Sequence, residues 1–175
     1  MSSMASDLRI SGVEPESIVD GPGFRYVIFT QGCPHGCPGC HNPQTHDFRG
    51  GRTADIPAIL REIRQDPLLQ GVTFSGGEPF CQPEPLCGIA EAVKEMGRDV
   101  VAYSGYTLEQ LLEMGERDPW VARLLKLCDI LIDGPYVEAR RDLTLLYRGS
   151  ANQRVIRLRE GLPEGEADLR DTGKL

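Results

Sequence analysis

Apolar residues along this chain come in short runs that switch between two spacings. Residues 26–30 (Tyr-Val-Ile-Phe-Thr) are β-branched or aromatic almost without a break and predict a buried strand. Over 53–65 the spacing changes: Ile56, Ile59, Leu60 and Ile63 share one helical face, and Pro57 suits a first turn. Residues 72–75 predict the next strand. Residues 83–96 predict a helix with Leu86, Ile89, Ala90 and Val93 inward and Gly97 as its stop. A strand follows at 99–103, then two short helices at 108–114 and 119–127. Strands over 130–133 and 154–158 complete the series. Residues 160–175 are rich in Gly and charge and poor in apolar side chains, which predicts a mobile tail behind one domain spanning 1–159.

Strands alternating with helices predict an α/β fold with parallel strands. In such sheets ligands bind beyond the carboxyl ends of the strands. Every polar or Gly-rich cluster of interest follows a strand here: the loop after Thr30, Gly76-Gly77 after Ser75, Ser104-Gly105 after Tyr103, and Gly134 after Asp133. That coincidence predicts one shared site. There are too few units for a closed eight-stranded barrel.

Size and charge narrow the function classes. A chain of 175 residues with 40% hydrophobic residues suits a single globular domain. The net charge of −7 argues against a nucleic-acid partner, which would need clustered Lys and Arg. No apolar stretch approaches the roughly 18 residues of a membrane span. The first residues lack the charged head and apolar block of a secretory signal, so the expected location is the cytoplasm. Six cysteines in such a chain suggest metal chemistry rather than disulfides.

Three of those cysteines share one loop. Cys33, Cys37 and Cys40 stand at C-x3-C-x2-C spacing in Gln31-Gly-Cys-Pro-His-Gly-Cys-Pro-Gly-Cys-His-Asn42. Gly32, Gly36 and Gly39 let the backbone turn tightly, and Pro34 and Pro38 stiffen it. Thiolates select zinc, copper(I) and iron–sulfur centres. Three thiolates can hold three corners of a four-iron cube and leave one iron open. Zinc is the alternative, with His35, His41, His46 or Cys81 as a fourth ligand.

A second motif, Ser75-Gly76-Gly77-Glu78-Pro79, ends the strand at 72–75. Alone it reads as a turn. One helix and one strand after the cysteine loop, it reads as a place where backbone approaches a ligand, with the Glu78 carboxylate available to an ammonium group. Together the two motifs resemble the radical S-adenosylmethionine superfamily. Three further stretches resemble the activases of anaerobic ribonucleoside-triphosphate reductase within it: Asp20-Gly-Pro-Gly-Phe-Arg25, Tyr103-Ser-Gly-Tyr-Thr107, and Asp133-Gly-Pro-Tyr136 with Arg148-Gly-Ser-Ala-Asn-Gln-Arg154. The resemblance runs from about residue 18 to 156. Many superfamily members have an aromatic residue before the third cysteine. This chain has Gly39, as is usual in the reductase activases.

The resemblance implies an open partial (β/α) barrel, with a [4Fe-4S] cluster on Cys33, Cys37 and Cys40. It implies S-adenosylmethionine chelated to the open iron, its methionine end near Gly76, Gly77 and Glu78; Ser104, beyond a strand end, is a further candidate to touch the ligand. The implied reaction is reductive cleavage to methionine and a 5′-deoxyadenosyl radical, which takes a hydrogen atom from a glycine Cα of the large reductase subunit. No side chain is needed as acid or base. Asp20, Gly21 and Gly23 are candidates to meet the partner's glycine loop; their bland reading is a common turn. The implied electron donor is flavodoxin- or ferredoxin-like, and a homodimer is one possible assembly. Activation of another glycyl-radical enzyme, such as pyruvate formate-lyase, and a non-catalytic zinc module are the competing readings.

Other polar residues carry less. Cys81, Cys87 and Cys128 read as small buried hydrophobes. His41 and Asn42 could donate to the cluster's surroundings. His35 is expected to face solvent. Residues 152–154 could be structural or could line the site.

Overall fold

The apolar runs assemble into one sheet with helices against a single face. The structure, a computed structural model, describes residues 7–166. Its strands are β1 (Arg9–Ser17), β2 (Phe24–Thr30), β3 (Arg52–Thr53), β4 (Leu69–Gly76), β5 (Asp99–Tyr103), β6 (Ile130–Asp133), β7 (Arg154–Arg159) and β8 (Leu162–Glu166). Its α-helices are α1 (Ile56–Gln65), α2 (Pro83–Glu95), α3 (Leu108–Gly115) and α4 (Pro119–Leu127). The strand order is β3-β1-β2-β4-β5-β6-β7-β8. β2, β4, β5 and β6 run parallel, with helices in their connections. β1, β3, β7 and β8 pair antiparallel around them. Among the described residues β3 and β8 remain as edges, so the sheet is the open α/β arrangement that the sequence predicts.

Strand periodicity divides the sheet's faces. Side chains two apart share a face. Tyr26, Ile28, Val72, Phe74, Val100, Ala102 and Leu131 face the helices and join Ile63, Leu86, Ile89, Leu111 and Leu124 in the main core. The alternate set, Val101, Ile130, Ile132 and Val155, forms a smaller cluster with Tyr103 and Tyr147 on the other face. That second face also holds Arg25 and Thr73, joined by a 2.7 Å hydrogen bond. One face is therefore dry core, and the other is left to polar groups and a cavity.

The elements differ from expectation at their edges. The helix expected from residue 53 starts at Ile56, because Arg52 and Thr53 pair with β1 as β3. Asp55 caps it, accepting from the Ala58 N–H at 3.0 Å. β1 has only Ile10 and Val13 as large apolar residues, carries Pro15 and has two irregularities of register, so no alternation announces it. The tail expected from residue 160 opens instead with β8, which turns back on β7 through Gly161, with Glu160 in the left-handed region. Residues 167–175 of that tail lie outside the described residues.

Candidate active site

Three loops at the carboxyl ends of parallel strands meet around a cavity of about 470 Å³. The loop after β2 brings Cys33, Cys37 and Cys40 to its wall; the end of β4 brings Ser75, Gly76 and Gly77; the end of β5 brings Ser104 and Gly105. All three cysteines are partly exposed and free of disulfides.

The cysteine loop is held by backbone. The Gly32 N–H donates to Thr45 O at 2.6 Å and the Cys33 N–H to His46 O at 3.2 Å, which docks the loop on the 3-10 turn at Pro43–Thr45. From the other side the Glu78 N–H donates to Gly32 O at 2.8 Å, and the Gly77 N–H to Thr30 O at 2.8 Å. β2 and β4 are thus tied together where the site begins. Gly76 has φ +92°, and a Cβ there would lie 2.6 Å from Thr30 N, so only glycine fits this crossing. Gly39 has φ +75°, and a Cβ would meet the Glu138 carboxylate at 2.7 Å. The positive φ, rather than the exposed Glu138 side chain, favours glycine before the third cysteine.

Chemically the wall suits a soft metal centre. Burial pushes the Cys33 thiol up, as do negative charges at Glu78, Cys37 and Cys40, while a hydrogen bond from the His35 backbone N–H lowers it. Three thiolates side by side repel each other, and a cationic centre relieves that repulsion. The Asn42 N–H already donates to Cys40 Sγ at 3.4 Å, one of the sulfur-directed bonds expected near such a centre. Among the described residues no three His, Cys, Asp or Glu side chains converge as a single-ion site requires. A four-iron cluster makes no such demand, because each thiolate takes a different iron. The donor set fits a cluster with one open iron.

Several expected site residues stand elsewhere. Glu78 is fully buried and does not line the cavity. Its carboxylate accepts from Ser104 Oγ (2.9 and 3.0 Å), Gly105 N–H (2.8 Å), Phe80 N–H (3.0 Å) and His35 Nε2 (2.6 Å). The oxygens expected to meet an ammonium group are thus taken by the protein. Ser104 does line the cavity, but its hydroxyl donates to Glu78 and accepts from the Tyr106 N–H at 3.0 Å. His35 does not face solvent. Its side chain is only 15% exposed, because Glu78 binds its ring and Tyr106 meets it edge-on at 4.5 Å. Asp20 lines the cavity and accepts from Ser17 Oγ at 2.5 Å. Gly21 and Gly23 turn away, against Arg25 and Gln70.

The remaining cysteines and residues 152–154 divide by position. Cys81, Cys87 and Cys128 are off the cavity wall. Cys87 and Cys128 are buried as expected, but Cys81, on the short 3-10 turn after Glu78, is exposed. Desolvation pushes Cys81 and Cys87 up to about 12 and raises Cys128 as well, so all three are neutral thiols. Within 152–154 the roles divide. Gln153 lines the cavity, accepting from the Gly149 and Ser150 N–H groups and donating to Gly134 O. Arg154 pairs with buried Asp133 at 2.5 Å and with Glu109 at 2.8 Å, which raises its pKa. Sequence reasoning missed Tyr147 and the apolar rim of Ile18, Val19, Leu143 and Leu146. Exposed apolar side chains in loops carry no periodic signal.

Comparison with known proteins agrees with this geometry. The family described as "4Fe-4S single cluster domain" matches residues 19–156. An anaerobic ribonucleoside-triphosphate reductase-activating protein of Escherichia coli (strain K12) is 32% identical over 154 residues, 83% of this chain and 96% of that protein. One from Pasteurella multocida (strain Pm70) is 34% identical over 152 residues, 82% of this chain and 93% of that protein. A pyruvate formate-lyase-activating enzyme of Clostridium pasteurianum is 40% identical over 114 residues, 60% of this chain but 48% of that protein. The chain belongs to the 4Fe-4S single cluster domain family and groups within it with the anaerobic ribonucleoside-triphosphate reductase-activating proteins.

Proposed function

We propose that this chain is an activase that generates a glycyl radical on an anaerobic ribonucleoside-triphosphate reductase. The observation that carries the reading is the meeting of three cysteines with the Gly76-Gly77 strand end on one open cavity. Cys33, Cys37 and Cys40 would hold a [4Fe-4S] cluster. When bound, the cluster and S-adenosylmethionine would supply one-electron cleavage of the sulfonium carbon–sulfur bond and, through it, the abstraction of a hydrogen atom from a glycine Cα. The chain's own part is to bind, orient and exclude water. Gly76 and Gly77 offer bare backbone to the methionine end, and Ser104 borders it. Ile18, Val19, Leu143 and Leu146 leave apolar side chains at the mouth, where a partner's glycine loop must enter to reach the reacting carbon. Asp20 stands on the same rim.

A lyase as the partner is the second reading, favoured by the 40% identity to a lyase-activating enzyme. Coverage favours the reductase: the reductase-activating relatives match this chain over nearly their full length. No helix among the described residues is long and apolar enough to cross a membrane. A cytoplasmic location and a flavodoxin- or ferredoxin-like electron donor complete the proposal.

The test is anaerobic reconstitution with iron and sulfide, then electron paramagnetic resonance of the reduced protein with and without S-adenosylmethionine. A cluster signal that changes on addition is expected, and Cys37→Ala should lose both the signal and 5′-deoxyadenosine release. Release by the alanine variant would remove the cluster assignment. A glycyl radical on the lyase alone, with each enzyme offered in turn, would reverse the choice of partner.

A further inference from the structure

We propose that Tyr103 is a positioning residue: its phenol latches the loop over residues 142–147, which carries Leu143 and Leu146 of the apolar rim, to the sheet at the cavity mouth. The inference rests on the activase reading of that mouth and deepens it, naming what gives the docking face its shape.

Asp133 and Arg154 pair directly across β6 and β7, so residues 134–153 leave the sheet and return to the same point. A connection between antiparallel neighbours needs only about 2–5 residues, and a much longer one carries function more often than not. The neck of this loop is fixed. Arg141 and Ser150 form an antiparallel bridge, and the Ser150 hydroxyl accepts from the Val137 N–H at 3.1 Å. Gln153 accepts from the N–H groups of Gly149 and Ser150. Beyond the neck, residues 142–147 form a strap. Leu143, Leu145, Leu146 and Tyr147 line the cavity, and Leu143 is 77% exposed.

Within the strap, Asp142 accepts from the Thr144 N–H at 2.9 Å and from the Thr144 hydroxyl at 2.5 Å. Those bonds turn the strap without tying it to the sheet. The tie comes from Tyr103, the last residue of β5, whose hydroxyl donates to Tyr147 O at 2.6 Å. Both rings pack against the cluster of Val101, Ile130, Ile132 and Val155.

Tyr147 needs that hold. Its φ is +66°, in the left-handed region, which a bulky residue enters only where its surroundings impose it. Relaxation to negative φ would redirect the chain before Tyr147 and carry the leucines off the rim. The phenol thus opposes a backbone biased to let go. With the latch made, an entering glycine loop meets an apolar mouth already in shape, and association does not have to order the strap.

The experiment compares reconstituted wild type with Tyr103→Phe, which keeps the ring and removes the hydroxyl. The first readout is chymotrypsin cleavage within residues 143–147, located by mass spectrometry. Cleavage after Leu68, exposed between α1 and β4, is the internal reference. Strap cleavage is expected to be about fivefold faster or more, the scale of one lost hydrogen bond, with the reference rate unchanged. The second readout is the reductase concentration that gives half-maximal glycyl-radical yield, which is expected to rise about fivefold or more. Strap cleavage at the wild-type rate overturns the latch. Faster cleavage at the strap and after Leu68 alike marks a general loss of stability and overturns it too. Faster strap cleavage with unchanged half-saturation overturns the link to docking, as does a fall in plateau yield alone. A wild type that raises no radical on the reductase overturns the activase reading, while the cleavage ratio still decides the latch.

Discussion

At the scale of single residues, the six cysteines divide by environment. Cys128 is 2% exposed and lies in the main core, on the side of the sheet away from the cavity. Cys128→Ala should cost about 1 kcal/mol in urea unfolding, the scale of a small core truncation, and leave the iron content of the reconstituted protein unchanged. Loss of iron in that variant would bring a second metal site back into question. Arg25 shows the opposite balance. It is fully buried, pairs with Asp99 at 2.5 Å and donates to Pro22 O and Val72 O at 2.9 Å. The Thr73 hydroxyl, which accepts from Arg25, donates to Asp20 O at 2.8 Å. The Asp20–Arg25 motif is thus a loop pinned by its own arginine. Asp99→Ala leaves that guanidinium with backbone and hydroxyl acceptors but no counter-charge. A loss of about 3 kcal/mol is expected in chemical denaturation at neutral pH. An unchanged midpoint would mean that the neutral acceptors suffice.

At the scale of elements, the parallel strands were legible in the sequence, and the antiparallel flanks largely were not. β2, β4, β5 and β6 are buried and β-branched, and each leads into a Gly- or Ser-bearing turn. β1, β3 and β8 are exposed or short and are made strands by their neighbours. Helix ends carry local signals that can be tested one at a time. α3 opens on a capping box: Thr107 Oγ1 accepts from the Gln110 N–H at 3.2 Å, and Gln110 Oε1 accepts from the Thr107 N–H at 2.9 Å. Thr107→Ala should cost about 1 kcal/mol and lower the melting temperature by roughly 2–4 °C. No shift would show that α3 is held by the packing of Leu108 and Leu111 alone.

At the scale of the whole molecule, two differently built faces separate folding from function. Helices seal one face; the other keeps the cavity and an exposed apolar rim. Changing the rim should therefore disturb the partner and spare the fold. The double variant Ile18→Asp with Leu143→Asp should lower glycyl-radical yield on the reductase by about tenfold or more. It should keep the wild-type melting temperature and the partner-independent release of 5′-deoxyadenosine. Equal loss of both activities would place these residues in the cofactor site rather than at the docking face.

The sequence by itself determined the chemistry and the order of the parts. Thiolate spacing, a Gly-Gly strand end and alternating strands and helices are all local, so they survive in one dimension. Tertiary structure alone decided where the polar side chains point. Glu78 and His35 are 43 residues apart, and both read as exposed or ligand-facing until β2, β4 and β5 stand side by side. Parallel pairing then places their side chains within a hydrogen bond of each other, Glu78 buried and His35 largely covered at the cavity wall. A buried carboxylate there takes every donor within reach, because leaving one of its oxygens unpaired costs more than giving up an exposed ligand.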